Sequence, residues 1–256
     1  MRRNGFVLGD IHFPFHHPTI LSLALYFLFK GRYDYIVQVG DLYDWYSASK
    51  FPRSYNVFTP KHEKQWSRYY ADLMWDLIHK HQPKAEKYQL LGNHCVRPHK
   101  RIIEKAPEFE DDLITSLNEH YTFDGVKTIY DSREELIIDD ILYMHGYYTG
   151  GGTKHAHFNI QNFVCGHTHT GGTWFLRHQG HDGGCIFEAN AGYLADPHSK
   201  GLSYSAQRKA TRWTWGFLHV DKIGPRFVPL HPEMAKQYES DPLFQEIAKA
   251  FQIKIA

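Results

Sequence analysis

Five short apolar runs in this chain are each followed at once by a polar segment that contains Asp, Asn or His. The runs are Phe6-Val7-Leu8, Tyr35 to Val39, Tyr88 to Leu91, Ile141 to Met144 and Phe163-Val164-Cys165. Apolar runs of this length, bounded by turn residues, are typical of buried strands. Because the carboxyl ends of parallel strands open onto the crevice where ligands bind, we expect the five polar segments to converge on one pocket.

The polar segments contain the residue types that bind divalent cations. In order they are Asp10-Ile11-His12, Gly40-Asp41-Leu42-Tyr43-Asp44, Gly92-Asn93-His94, His145-Gly146 and Gly166-His167-Thr168-His169. Asp10 and His12 are two residues apart, so on an extended strand end their side chains project to the same side. A single Asp-x-His or Gly-Asp is more often simple turn chemistry. Five such segments in order, each after a strand-like run, indicate a metal site.

Two ions are expected because one carboxylate can place an oxygen on each of two metals about 3.5–4 Å apart. Asp41 is the candidate for that bridging position. Asn93, His145 and His167 would complete the second site, and His169 the first. Mixed nitrogen and oxygen ligands without thiolate suit manganese, iron, zinc or nickel better than calcium or magnesium. We expect two divalent ions, with manganese as the leading candidate and iron, zinc or nickel as alternatives.

The rest of the sequence predicts helices between the first strands and a second sheet after residue 121. Helical stretches are expected over 19–30, 60–81 and 107–119, with a terminal amphipathic helix over 241–253. Later β-like runs are Leu136-Ile137-Ile138, Thr173 to Leu176, Cys185 to Glu188 and Trp213 to Leu218, with a hairpin turn over 221–225. Two sheets packed face to face, with helices outside, would account for both halves. We expect the second sheet to be the more antiparallel one.

The composition limits the number of domains and the class of protein, but it does not indicate a binding partner. At 256 residues the chain has the usual length of one α/β domain, so a single domain is expected over 1–256. A net charge of +1 neither demands nor excludes nucleic acid. No apolar run approaches the roughly 20 residues of a membrane span, and no signal-peptide pattern follows Met1. Three cysteines without a CxxC pair argue against a disulfide framework or a zinc-thiolate site.

In order and chemistry, the five segments resemble the calcineurin-like metallophosphoesterase superfamily over residues 9–169. That family has Asp-x-His, Gly-Asp-x-x-Asp, Gly-Asn-His-Asp/Glu, a later His, and Gly-His-x-His. The resemblance implies a four-layer αββα sandwich of two mixed sheets flanked by helices, with 173–256 supplying second-sheet strands and the terminal helix. It also implies a dinuclear centre. One ion would take Asp10, His12, Asp41 and His169, and the other Asp41, Asn93, His145 and His167.

The resemblance also implies roles beside the metals. The histidine after the metal-bound asparagine, here His94, faces the substrate and protonates the leaving oxygen or steadies the transition state. Asp44 matches the second aspartate of the pattern and would orient the site. Arg97 lies at the spacing where some branches place a phosphate-binding arginine, although a surface arginine heading the next helix is an equal alternative.

One position departs from the family pattern. Cys95 stands where Asp or Glu usually follows the histidine, and a thiol is a weak acceptor for an imidazole N–H. We therefore expect His94 to be less well oriented and to favour its neutral form, which would weaken general-acid catalysis. A poorly reactive thiol is the expected state of Cys95, rather than a nucleophile.

The predicted function is a metal-dependent phosphoesterase that hydrolyses phosphodiester bonds through metal-activated water, acting on DNA, RNA or nucleotides. The segment Gly40 to Phe51 looks like a bacterial and phage-type subgroup often grouped with nucleases and phosphodiesterases. Residues 45–60 are aromatic and mildly basic, so bases would stack there, unless the segment is simply a packed Ω-type loop. A phosphomonoesterase, such as a protein phosphatase, and a non-catalytic metal-bound scaffold are the alternatives. We expect a cytoplasmic protein without membrane contact, in the host cytoplasm if it is phage-encoded.

Overall fold

The computed structural model describes residues 2–50, 58–109, 118–130, 134–148, 154–159, 161–177, 185–202 and 212–251. Its strands, in chain order, are β1 Gly5–Leu8, β2 Tyr35–Gln38, β3 Glu86–Leu90, β4 Lys127–Ile129, β5 Leu136–Ile138, β6 Ile141–Tyr143, β7 Asn162–Cys165, β8 Gly172–Arg177, β9 Cys185–Asn190, β10 Gly216–Val220 and β11 Pro225–Pro229. Its α-helices are α1 Pro18–Lys30, α2 Pro60–His81, α3 Arg97–Lys105, α4 Lys154–Asn159 and α5 Pro242–Phe251.

The strands form two mixed sheets. The six-stranded sheet has the order β11-β10-β1-β2-β3-β4, and the five-stranded sheet has the order β5-β6-β7-β9-β8. β1 to β4 run parallel, and β10 and β11 join them as an antiparallel hairpin at the β1 edge. In the second sheet β6, β7 and β9 run parallel, with β5 and β8 antiparallel at the two edges. Two of the four pairings in the second sheet are antiparallel, against two of five in the first, so both sheets are mixed and the second is slightly the more antiparallel.

Alternation along the strands shows how the layers stack. In β1, Phe6 and Leu8 pack in the core beneath α1 and α2, whereas Val7 faces the core between the two sheets. In β7, Val164 faces that same intersheet core, whereas Phe163 packs with Ala156 of α4 on the outer side. Successive side chains of a strand point to opposite faces, so each sheet has one face on its partner sheet and one on helices. The four-layer αββα fold class is confirmed.

The helices begin where local chemistry favours it. α1 and α2 each have a proline in the first turn, where its missing N–H costs no hydrogen bond. The Thr59 hydroxyl caps α2 by accepting from the His62 N–H at 3.3 Å, and His17 caps α1. α2 has the predicted bounds, and α1 begins one residue earlier than predicted. No helix in the described part of the chain is both long and apolar enough to cross a bilayer.

Two predictions about the fold need correction or qualification. The run Trp213 to Leu218 was expected in the second sheet, but its strand, β10, pairs with β1 in the first. Phe217, Leu218 and Val220 are buried on both faces of β10, so their pattern fits either sheet equally well. Of the predicted helix over 107–119, the structure shows a 3₁₀ turn at Pro107–Phe109, and residues 110–117 lie outside the described residues.

Candidate metal centre

All seven predicted metal ligands follow the carboxyl ends of parallel strands and meet at one place in the fold. In chain order, Asp10 and His12 follow β1, Asp41 follows β2, Asn93 follows β3, His145 follows β6, and His167 and His169 follow β7. The first three strands belong to one sheet and the last two to the other. The site therefore lies where the same edge of both sheets opens, as the strand pattern predicts.

The ligands fall into two groups. The first, which we call the buried half, consists of Asp10, His12 and His169. The His169 Nε2 lies 3.2 Å from both the Asp10 Oδ1 and the His12 Nε2, and the last two atoms are 3.8 Å apart. Asp10 and His12 are fully buried and His169 is 4% exposed. Two imidazole nitrogens and a carboxylate oxygen thus converge on one point away from solvent.

The second group, the open half, consists of Asn93, His145 and His167. The Asn93 Oδ1 lies 3.0 Å from the His145 Nε2 and 2.7 Å from the His167 Nδ1. The other His145 nitrogen, Nδ1, donates to the Val39 carbonyl at 2.9 Å. That bond fixes the ring orientation and directs Nε2 toward Asn93, so Nε2 can bind a metal ion once the ion displaces its proton. Asn93 and His167 are half-buried.

Asp41 lies between the two halves. Its Oδ2 is 3.1 Å from the His145 Nε2 of the open half, and its Oδ1 accepts from the backbone N–H of His94 at 2.8 Å. Ligand atoms of Asp10, Asp41 and His145 lie within 4.8 Å of one another, so Asp41 also adjoins the buried half. This is the position expected of a carboxylate shared by two ions.

Electrostatics of the site favour a bound cation. Burial opposes ionisation of Asp41, yet His145 and His94 outweigh it and hold the pKa of that carboxyl well below its usual range. Burial likewise opposes protonation of His12 and His145, but the surrounding carboxylates raise the pKa of His12 to about 10 and that of His145 to about 9. The cluster thus attracts protons that a divalent ion would replace. Carboxylate, imidazole and carboxamide donors without thiolate fit such an ion.

Asp44 connects the buried half to His94 and Arg97. Its Oδ2 accepts from the Nδ1 of His12 at 3.0 Å and from the Nδ1 of His94 at 3.1 Å. Its Oδ1 and its backbone carbonyl accept from the Nη1 of Arg97 at 3.1 and 2.9 Å. Asp44 is fully buried, so this one carboxylate fixes the orientation of both imidazole rings.

The structure changes the expectation for His94. Cys95 was expected to leave this imidazole less well oriented, but Asp44 supplies the missing carboxylate from another loop. The expected preference for the neutral ring agrees with the structure, because burial lowers the pKa of His94 despite Asp41 and Asp44 nearby. Cys95 is fully buried, and burial raises the pKa of its thiol to about 11, which disfavours a nucleophilic thiolate.

Arg97 is not the surface arginine of one alternative, because its side chain is only 16% exposed, and its contact with phosphate stays a prediction. It is the first residue of α3, and its guanidinium also reaches the site, where Nη2 lies 2.8 Å from the His94 Nε2. With the Nδ1 hydrogen of His94 donated to Asp44, the Nε2 accepts from Arg97. The two side chains therefore form one unit at the mouth of the site.

Family comparison agrees with this geometry. Residues 6–171, more than half of the chain, match the model of the calcineurin-like phosphoesterase family. The chain belongs to this family. Among curated proteins no relative matches. Solved structures similar to this chain include two of Vps29 from Entamoeba histolytica, one a single mutant and one the wild type complexed with zinc. They are 13% and 12% identical to it, each with a TM-score of 0.40, and each match covers 89% of this chain and 98% of the other.

The backbone of this phosphoesterase site contains strained residues that no sequence pattern signalled. Asp10, His12, Asp41, His167 and His169 all have positive φ, at 48°, 55°, 50°, 68° and 58°. Left-handed backbone is uncommon for residues other than glycine, and such strain of order 1–3 kcal/mol per residue collects at functional sites. Five of the seven candidate ligands have this left-handed backbone conformation. Packing of the surrounding structure therefore holds the loops in conformations that are unfavourable for them in isolation.

Two motif glycines are required by close approach to the ligands. A Cβ at Gly92 would collide with the Oδ1 and backbone nitrogen of Asp41, and a Cβ at Gly166 would collide with the Oδ2 of Asp10. Turn chemistry alone does not explain these two positions, since any side chain there would displace a carboxylate of the cluster. This is a packing reason for the glycines of Gly-Asn-His and Gly-His-x-His.

The described part of the 45–60 segment supports the packed-loop alternative over base stacking. Trp45 and Tyr46 are 6% and 7% exposed, and the Trp45 Nε1 donates to the Tyr121 hydroxyl at 2.8 Å. The fully buried Glu63 carboxylate accepts from the backbone N–H groups of Tyr46 and Ser47 at 2.5 and 2.8 Å. Residues 51–57 lie outside the described residues, as do 149–153 of the glycine-rich loop and 203–211.

A second buried cluster, His155, Cys165 and Glu188, was not predicted from the sequence. The His155 Nδ1 donates to Glu188 at 2.8 Å, and its Nε2 accepts from the backbone N–H groups of Tyr147 and Tyr148 at 3.1 and 3.3 Å. Both ring nitrogens are thus engaged within the protein, so this cluster serves as an anchor for the chain just after His145 rather than as a third metal site. No sequence signal pairs these residues, because Glu188 lies on β9, more than 30 positions from His155.

A cleft of about 380 Å³ opens beside the open half and is lined in part by Asn93 and His145. Leu91, Ile129 and Met144 are among its apolar lining residues, and Lys100, Tyr130, Glu134 and Tyr147 line it as well. The volume falls within the roughly 300–1,000 Å³ range of ligand sites. The candidate metal centre therefore adjoins a space of the size that small ligands occupy.

Proposed function

We propose that this protein is a metal-dependent hydrolase of phosphodiesters, with a nucleic acid or nucleotide as substrate. The observation that carries the proposal is the position of Asp41 between two ligand groups, with His94 bonded through its backbone to the same carboxylate. In such a site, the His94 imidazole would transfer a proton beside the two groups of residues that would each bind a cation. Membership of the calcineurin-like phosphoesterase family supports the reaction class.

The two ions would be held by Asp10, His12, Asp41 and His169, and by Asp41, Asn93, His145 and His167. Bound there, divalent ions supply Lewis acidity and an ionised water nucleophile. Manganese is the proposed ion, with iron, zinc or nickel as alternatives. Three further predictions belong to the proposal. They are a single domain over 1–256, a bacterial or phage origin, and a cytoplasmic location.

His94, Arg97 and Asp44 would act on the substrate side. His94 would protonate the leaving oxygen or steady its charge, and Arg97 would donate to phosphate oxygens. Asp44 positions both, since it accepts from the His94 ring and the Arg97 guanidinium. A neutral His94 that donates from Nδ1 to Asp44 has an acceptor at Nε2, so proton donation from Nε2 requires the imidazolium form.

The adjoining cleft favours a diester over a monoester. A diester carries a second organic group, and the cleft beside Asn93 and His145 offers room for one. A phosphomonoesterase is the second candidate, because Arg97 supplies a cation at the site that a dianionic monoester would use. In that case activity would depend more strongly on Arg97 than on the cleft.

The test is hydrolysis of bis-p-nitrophenyl phosphate against p-nitrophenyl phosphate by purified protein loaded with manganese. We expect the diester to be preferred and its turnover to fall by about 10²- to 10⁴-fold in His94→Gln, the usual range for a general acid. His62→Gln is the matched control, since His62 is exposed on α2. Faster hydrolysis of the monoester would replace this proposal with the second candidate. If the metal-loaded protein hydrolyses neither ester, a non-catalytic scaffold would be favoured.

A further inference from the structure

The cleft beside the open half combines apolar walls with a few polar side chains. Asn93 and His145 line it, together with the apolar Ile129 and Met144. Tyr130, Tyr147, Lys100 and Glu134 line it as well. An apolar space with a few polar groups is typical of sites for small organic ligands.

Tyr147 is the aromatic side chain best placed to contact a ligand in this cleft. It is 53% exposed, and its ring contacts Tyr148 and His155 with centroids 4.5 and 5.0 Å away, so part of the side chain remains open to a bound molecule. Its backbone is nevertheless held firmly, because its N–H donates to His155, which in turn donates to the buried Glu188. An exposed ring on an anchored backbone is a suitable surface for stacking, since little freedom is lost on binding.

Charges at the cleft complement a nucleotide rather than a purely apolar ligand. Lys100 is exposed on α3 and adds a cation to the lining of the cleft. Glu134 is also exposed, and its ion pair with Lys127, at 3.4 Å, is open to solvent and contributes little. A carboxylate at this position can accept from the exocyclic amino group of a base. Cation, carboxylate and aromatic ring therefore surround one apolar space that continues to the proposed metal ligands.

We propose that this cleft binds the nucleobase of the substrate, with the base against Tyr147 while its phosphate lies at the metal centre. This inference rests on the proposed function and names the feature that recognises the substrate. It assigns recognition to the cleft between α3, the β4 end and the loop after β6, and not to the aromatic 45–60 segment, for which the sequence left base stacking and a packed loop as alternatives.

The test is calorimetric binding of adenosine 5′-monophosphate, phenyl phosphate and inorganic phosphate to the manganese-loaded protein. We expect the nucleotide to bind at least about tenfold tighter than inorganic phosphate, from stacking of one base. Tyr147→Ala should remove most of that difference, and Tyr147→Phe should keep it because the ring remains. Tyr69→Ala is the matched control, since Tyr69 is an exposed tyrosine of α2 that does not line the cleft.

Because it measures binding and not turnover, the calorimetric experiment tests the base site independently of the proposed hydrolase activity. Diester hydrolysis without any preference for the nucleotide over inorganic phosphate, or with a preference that survives Tyr147→Ala, would overturn the base site and leave the hydrolase intact. Phenyl phosphate binding as tightly as the nucleotide would also overturn it, because the cleft would then accept any aryl group. A nucleotide preference that depends on Tyr147, in a protein that hydrolyses neither ester, would support the base site and reject the hydrolase.

Discussion

The buried half and the open half use similar ligand types but are supported in different ways. Asp10 and His12 of the buried half are fully enclosed, and the Asp44 carboxylate holds the His12 ring from behind. Asn93 and His167 of the open half are half-buried, and Asn93 lines the 380 Å³ cleft. One half is built into the protein interior, and the other faces the space where a substrate would enter.

Backbone strain follows the same division. All three residues of the buried half, Asp10, His12 and His169, have positive φ, whereas in the open half it is His167 that does. Strained ligands persist only when surrounding packing over-determines them. We infer that the buried half would hold its ion firmly. The ion of the open half would exchange more readily and could also be coordinated by the substrate. Four predictions test this division, from the largest expected effect to the smallest.

Asp41→Asn removes the carboxylate that adjoins both halves and should have the largest effect. Metal content should fall at both positions, and diester turnover by at least about 10³-fold, since metal ions supply several kcal/mol of transition-state stabilisation. Elemental analysis and initial rates measure the two effects. Asp76→Asn, at an exposed position of α2, is the control. Retention of both ions in Asp41→Asn would show that Asp41 does not connect the halves.

Asn93→Ala should break the open half alone. We expect one ion to be lost while the ion of the buried half remains, and turnover to fall by roughly 10²-fold or more. Elemental analysis after dialysis against chelator gives the stoichiometry. His12→Ala provides the reverse case, in which the firmly held ion should be lost. After treatment with chelator, Asn93→Ala should keep the firmly held ion and His12→Ala should not, so retention of the same number of ions by the two variants would contradict the division into halves.

Much of this architecture could be predicted from the sequence because it depends on local patterns. The strand ends at Leu8, Gln38 and Cys165 were readable from apolar runs that stop at polar ligands, and α2 from Pro60 and its helical periodicity. The convergence of the seven candidate ligands could be predicted because the five segments that contain them each follow a strand-like run. In each case the signal lies within a few consecutive residues.

Features that depend on distant contacts could not be predicted. β10 is apolar on both faces, so nothing in its pattern indicates that it pairs with β1, more than 200 residues earlier. Asp44 was expected to orient the site. Its hydrogen bonds to both His12 and His94 could not be predicted, because they depend on how the loops after β1, β2 and β3 come together in the fold. Asp and His adopt positive φ more often than most residues, but residue type does not show that Asp10 is one of those that do. These properties belong to the assembled fold.

Asp44→Asn tests whether the support behind the buried half matters. An amide in place of the carboxylate cannot accept from both His12 and His94 as the charged group does. We expect metal affinity and turnover to fall by about 10- to 100-fold, the usual effect of removing a partner behind a metal ligand. Competition with a chromogenic chelator measures the affinity. If only turnover falls while affinity is unchanged, Asp44 would serve His94 and Arg97 but not the buried half.

Glu63 offers the smallest and most specific test, because it holds the chain just after Asp44 without touching a proposed ligand. Burial, with the nearby charge of Asp44, raises the pKa of Glu63 to about 7, although the N–H groups of Ser47 and Tyr46 act in the opposite direction. In the unfolded chain this carboxyl titrates near its ordinary value of about 4.3. Between these two values the folded protein holds one more proton than the unfolded chain, so its free energy of unfolding decreases as pH rises.

The expected result is a loss of stability of wild type relative to Glu63→Gln as pH increases from about 4.5 to about 7, with a slope of at most about 1.4 kcal/mol per pH unit. Denaturant unfolding of both proteins across that range measures it, and the difference between them removes the contribution of all other titrating groups. The control is Glu104→Gln, at an exposed position of α3. A difference that does not vary with pH would mean that Glu63 is ionised throughout. The segment after Asp44 would then be held by a charged carboxylate, and the buried half would be supported by charge as well as by packing.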